Sequence, residues 1–123
     1  MGGTALDSKA FAYQAAEILA SHNARDVLVM DIAETAGWAD YFVVATTTSS
    51  VHMRGLERHL EEFLSDIDQP LLNRPEAADD QRWLLLDAGT VVIHLMTEEA
   101  RAFYDLESLW YSAPRFAVSA PTT

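Results

Sequence analysis

Few side chains in this chain could do chemistry, and they fall in three groups. Asp40 and Asp87 each stand at the end of an apolar run, where catalytic acids stand in α/β folds. Together they could hold magnesium for nucleotidyl or phosphoryl transfer. The plainer use of both is local: Asp40 caps a turn and Asp87 opens a hairpin. The second group is a run of hydroxyls, Thr46-Thr47-Thr48-Ser49-Ser50, between an apolar run and an amphipathic one. Anions bind at such junctions, but this segment has no glycine and no lysine follows it, which excludes a phosphate loop. Its composition suits a helix cap. The third group is the four histidines. His52 and His59 are seven apart and share a helical face, yet no Glu or His stands one turn from His52 on that face, and no HExxH occurs. No metal, no cofactor and no catalytic residue is expected. With no phosphate-gripping motif beside the carboxylates, the reading is a non-enzyme, with a magnesium-dependent transferase as the alternative.

The bulk properties narrow the field in the same direction. The chain has 123 residues, enough for one domain, and half of it is apolar, enough for one core. Lys plus Arg total 8 against 19 for Asp plus Glu, a formal charge of -11. A phosphate backbone repels such a surface, so direct nucleic-acid binding is not expected. Anionic membranes are disfavoured on the same ground, whereas a basic protein partner is favoured. The chain has no cysteine, which removes disulfides, thiolate catalysis and Cys-ligated zinc together. No apolar stretch is long enough to span a membrane, and Met1 to Asp7 lack a basic segment followed by an apolar one. A cytoplasmic protein is expected.

The elements that must position these groups follow from periodicity. Asp7 or Ser8 starts a helix in which Phe11, Ala15, Ile18 and Leu19 share a side, and His22 or Asn23 ends it. Val27–Ile32 and Tyr41–Ala45 are short, nearly continuous apolar runs, hence strands covered on both faces and antiparallel neighbours. The hydroxyl segment caps a second helix with the stripe Met53, Leu56, Leu60, Phe63 and Leu64. Residues 66–82 read as a surface loop, with a short strand at Leu71-Leu72. Trp83–Asp87 and Thr90–Met96 form a hairpin around Gly89. Thr97 caps a last helix, with Phe103, Leu106 and Trp110 as its buried side. The fold class is α/β: a single domain with a mixed β-sheet and helices packed on it. The domain is expected to span 9–111, between a flexible N-terminus (1–8) and a flexible tail (112–123).

Aromatic residues cluster late in the chain: Trp83, Phe103, Tyr104, Trp110 and Tyr111. Phe103 and Tyr104 are adjacent on a helix and diverge by about 100°, so both cannot face one core. Tyr104 is the better exposed anchor, since aromatic anchors suit interface centres.

Three stretches, read together, resemble the Iojap and ribosomal silencing factor family. Ala39-Asp40-Tyr41-Phe42-Val43-Val44-Ala45-Thr46, running on through Thr48-Ser49-Ser50-Val51-His52-Met53-Arg54, is similar to the signature ADYFVIATGTS-x-x-H-x-R. Trp83-Leu84-Leu85-Leu86-Asp87 through Gly89 and Val91-Val92-Ile93-His94 is similar to WVLLDYGDVVVH. Residues Glu99-Ala100-Arg101-Ala102-Phe103-Tyr104-Asp105-Leu106-Glu107-Ser108-Leu109-Trp110 resemble EAR-x-FYDLE-x-LW. Order and spacing agree from about Phe11 to Trp110. The departures are Thr47 for the glycine of ATGTS, Ala88 and Thr90 for the Tyr and Asp of the turn, and Ala77 for a glycine after Pro-Glu.

The resemblance implies a domain shaped like a nucleotidyltransferase but lacking its working site. It implies docking on the large ribosomal subunit through ribosomal protein L-fourteen. Bulk at that place would keep the small subunit away and repress translation in starved or stationary cells. It also implies self-association, so a homodimer off the ribosome is expected. The motif positions whose character suits a docking surface are His52, Arg54, Trp83, Asp87, His94, Tyr104, Asp105 and Trp110. Trp83 and Trp110 are the ones whose size most favours burial.

Overall fold

The computed structural model describes residues 7–78 and 81–120. The chain begins with α1 (Ser8–Ser21), whose cap is Asp7: its carboxylate accepts from the Ala10 amide at 2.8 Å. β1 (Arg25–Asp31) leads through a short helix, α2 (Ala33–Ala36), into β2 (Tyr41–Thr47). Ser49 then caps α3 (Ser50–Asp66) by accepting from the His52 amide. β3 (Glu76–Ala78), β4 (Trp83–Asp87) and β5 (Val91–Thr97) follow, then α4 (Glu98–Tyr104), α5 (Leu106–Leu109) and β6 (Arg115–Ala117).

The strands form one six-stranded sheet in the order β3-β4-β5-β2-β1-β6. β2 and β5 at its centre are parallel, from Tyr41 opposite Val91 to Thr47 opposite Thr97. The remaining pairings are antiparallel. The α/β class with a mixed sheet is thus as read from periodicity, and β1 and β2 are antiparallel neighbours as expected.

The sheet divides the interior into two cores. On one face, α1 and α3 lay Phe11, Leu19, Leu56, Leu60 and Phe63 against Val29, Val43, Leu86, Ile93 and Leu95. Full burial of each such side chain stabilises by about 1.5–3 kcal/mol. On the other face the core is smaller: Met30, Ile32, Phe42, Val44, Val92, Met96, Ala100 and Leu106, flanked by half-buried Trp83 and Trp110. Only short helices lie there: they cover the central strands β2 and β5, buried except at Tyr41 and Thr97, but leave β4 partly open, with Leu85 38% exposed.

Four local expectations differ. The strand after α3 is at Glu76–Ala78 rather than Leu71-Leu72, because Ala77 and its neighbours pair with β4 while Leu72 only donates to the Asp87 carbonyl. The segment after Ser112, expected as a loose tail, supplies β6, which pairs antiparallel with β1 and closes that sheet edge; residues 121–123 lie outside the described residues. At the other end, Ser8 is already helical, and 1–6 lie outside the described residues. The last helix is not continuous. Asp105 takes φ +48 and ψ +58, splitting α4 from α5. The two segments do not share one buried side: Phe103 on α4 is 80% exposed instead of in the core, while Leu106 on α5 is buried.

Candidate functional site

The break at Asp105 and the lightly covered sheet face together create an aromatic surface. Trp83 comes from β4, His94 from β5, Phe42 from β2, Tyr104 and Phe103 from α4, and Trp110 from the end of α5. Alternation along each strand places Trp83, His94 and Phe42 on the same side of the sheet. The rings form a connected run. Trp38 packs on Phe42 at 5.8 Å between centroids, Phe42 on His94 at 4.6 Å and on Trp110 at 5.7 Å. Trp83 then packs on Tyr104 at 4.6 Å, and Tyr104 on Phe103 at 5.0 Å. Such offset and edge-to-face pairs each add about 0.5–1.5 kcal/mol beyond burial.

Much of this run is open to solvent. Trp38 is 61% exposed, alongside Phe103, Tyr104 and Leu85, and the chain neighbours of Trp110, Leu109 and Tyr111, are 69% and 82% exposed. Large apolar groups exposed together mark an interaction surface. Exposed Glu98, Glu99 and Asp105 lie in and beside α4, which sets an acidic fringe next to the rings.

His94 is the polar element under the surface. The Trp83 indole donates from Nε1 to His94 Nδ1 at 3.1 Å. Since Nδ1 accepts, the proton resides on Nε2, and Nε2 is buried without a hydrogen-bond partner among the described residues. Burial pushes the His94 pKa down to about 4, so the ring is neutral at pH 7. His94 is only 4% exposed. Expected as a surface contact, it is instead a buried support that orients Trp83.

The other motif residues separate. Trp83, Tyr104 and Trp110 share the aromatic face, with Asp105 at its bend. Asp87 lies in the hairpin turn, where its Oδ1 accepts from the Gly89 amide at 2.9 Å; Gly89 has φ +89, a conformation open to glycine. His52 and Arg54 belong to α3, which packs on the opposite sheet face. His52 Nδ1 accepts from the Thr48 amide at 3.0 Å, so Nε2 carries the proton and donates to the His22 carbonyl at 2.8 Å. One ring therefore ties the start of α3 to the end of α1. Arg54 donates to the Gln81 side chain at 3.2 Å.

Sequence reasoning missed Trp38 and Leu85 as members of this surface, named Tyr111 only as one of the late aromatics, and placed Phe103 inside. The one available signal was Asp105, a residue type that tolerates the left-handed conformation and so can end a helix. Of the carboxylates weighed for catalysis, Asp87 serves the hairpin turn as expected, whereas Asp40, expected to cap a turn, accepts through Oδ2 from the distant Ser8 hydroxyl at the start of α1 at 2.8 Å. Ser49 caps α3, as its hydroxyl-rich segment suggested. No helix among the described residues is long and apolar enough to cross a membrane.

Comparison with known proteins gives a consistent result. A family model described as "Ribosomal silencing factor during starvation" matches residues 5–123. The chain is 38% identical over 96 residues to the ribosomal silencing factor RsfS of Treponema pallidum, covering 77% of this chain and 85% of that one. It is 34% identical over 96 residues to the mouse protein named for mitochondrial assembly of the ribosomal large subunit, covering 76% of this chain and 42% of that longer one. A crystal structure of a protein from Chromobacterium violaceum superposes with a TM-score of 0.79 at 27% identity, covering 95% of this chain and 98% of that one. With the family model spanning nearly the whole sequence and a relative above one-third identity, the chain belongs to the ribosomal silencing factor family.

Proposed function

We propose that this protein docks on the large ribosomal subunit through ribosomal protein L-fourteen and blocks joining of the small subunit. Translation is thereby repressed in starvation or stationary phase, in the cytoplasm. The observation that carries this reading is the aromatic face that exposes Trp38, Phe103 and Tyr104 around half-buried Trp83 and Trp110, with exposed Leu109 and Tyr111 beside Trp110 in the chain. Aromatic anchors on a semi-rigid frame supply binding energy at small entropic cost. The acidic fringe and the net charge of -11 suit a basic protein and repel the surrounding RNA. Blocking by bulk requires a stable docked body and no reaction, which agrees with carboxylates spent on a turn and a helix start. Off the ribosome, the same face would pair two copies of the chain, a contact that docking displaces.

The test is co-sedimentation with purified large subunits, followed by a joining assay with small subunits. The expected outcome is saturable co-sedimentation and a loss of joined ribosomes that tracks occupancy. Undiminished joining at saturating protein refutes the proposal. Crosslinking of the docked protein then identifies the ribosomal protein touched.

A further inference from the structure

The docking face owes its shape to the bend at Asp105, which the residue type permits but does not by itself enforce. Asp105 is held at φ +48, a left-handed conformation that costs a non-glycine residue about 1 kcal/mol or more. Across that bend lies an ion pair: Arg101 Nε to Glu107 Oε2 at 3.3 Å, with the side chains 11% and 26% exposed. In an unbroken helix, residues six apart sit about 9 Å apart along the axis and about 120° apart around it. They could not meet. The pair therefore exists only in the bent form and favours it over a continuous helix through 98–110. The same guanidinium fastens the bend to the sheet. Its Nη1 donates to the Asp26 carbonyl at 2.6 Å and to the Thr46 hydroxyl at 2.9 Å. Asp26 lies in the irregular start of β1, and Thr46 near the end of β2. Only a planar, multi-donor head group makes these contacts at once.

We propose that Arg101 and Glu107 are positioning residues for docking: their ion pair locks the bend at Asp105 and thereby aims Tyr104 at Trp83 and Leu109 and Tyr111 outward. This rests on the docking role proposed above. Neither residue needs to touch the partner, because Arg101 is committed to three elements of its own chain.

The experiment separates positioning from stability. Arg101→Met leaves Glu107 without its partner and lowers stability, whereas Arg101→Met with Glu107→Leu removes both charges and restores much of the melting temperature. If the pair positions the face, the double variant still docks on large subunits about tenfold or more weakly, and the Ser108, Leu109 and Trp110 amides exchange faster with deuterium. Docking that recovers together with stability overturns the proposal. Glu107→Gln, the near-isosteric change, decides the matter if the double variant does not fold: weaker docking with faster exchange at 108–110 supports the lock, and unchanged docking with unchanged exchange overturns it. Wild-type protein in the same assay guards the premise. Failure of the wild type to co-sediment removes the docking reading itself, while wild-type docking with fully docking variants removes only the lock.

Discussion

The two faces of the sheet are built to different ends. On one, two long helices seal an apolar core whose members are almost all inaccessible. On the other, short helices cover part of the sheet and leave rings in the open. The strands are the same, so the contrast comes from what crosses them. A helix of α3's length spans about 25 Å and shields several strands. The seven residues of α4 span about 10 Å and shield few. The closed face supplies the stability that the open face spends on exposed apolar surface.

That division can be broken most forcefully from the closed side. Leu60, fully buried on α3, should cost about 2–5 kcal/mol when cut to Ala, because the cavity cannot collapse among rigid neighbours. Chemical denaturation measures this, and docking at temperatures well below melting should persist. Next in size is a pH effect from His94. Its folded pKa lies near 4 against 6.5 when unfolded, so the unfolded chain binds the extra proton. The stabilisation is complete above pH 6.5 and drains away as pH falls toward 4, at most about 3 kcal/mol. Comparing denaturation of wild type and His94→Phe across pH 4–7 isolates it; parallel curves would show that His94 is not the group responsible.

On the open side, Tyr104→Ala should weaken ribosome docking by about 1–2 kcal/mol, roughly five- to thirtyfold, and cost less stability than Leu60→Ala, as Tyr104 is 38% exposed. A shift in melting temperature with docking retained would place Tyr104 with the structural residues. The smallest effect belongs to Ser49→Ala. It removes the α3 cap and should cost about 1 kcal/mol, read as a small drop in melting temperature with unchanged docking.

Some of this was legible in the chain and some was not, for identifiable reasons. Helices α1 and α3 carry their own caps and long apolar stripes, so Asp7, Ser49 and Leu60 announced them. The buried strands β2 and β5 announced themselves by continuous branched runs. In β4 the apolar run Trp83-Leu84-Leu85-Leu86 marked a strand of the hairpin but not which of its residues is covered, and Leu85 faces the open side. Periodicity records which residues are apolar, and not whether a neighbour arrives to cover them. The same limit hid Trp38, and Phe103 was misplaced by extending one helical phase past Asp105.

By itself, the sequence determined the class of fold, the sealed core and the family, since each rests on local pattern: caps, stripes, branched runs and motif order. Tertiary structure alone decided which apolar residues are exposed, where the last helix bends, and that β6 closes the edge beside β1. Those outcomes depend on contacts between residues far apart in the chain, such as Arg101 with Asp26 and Thr46, whose energies no local window contains.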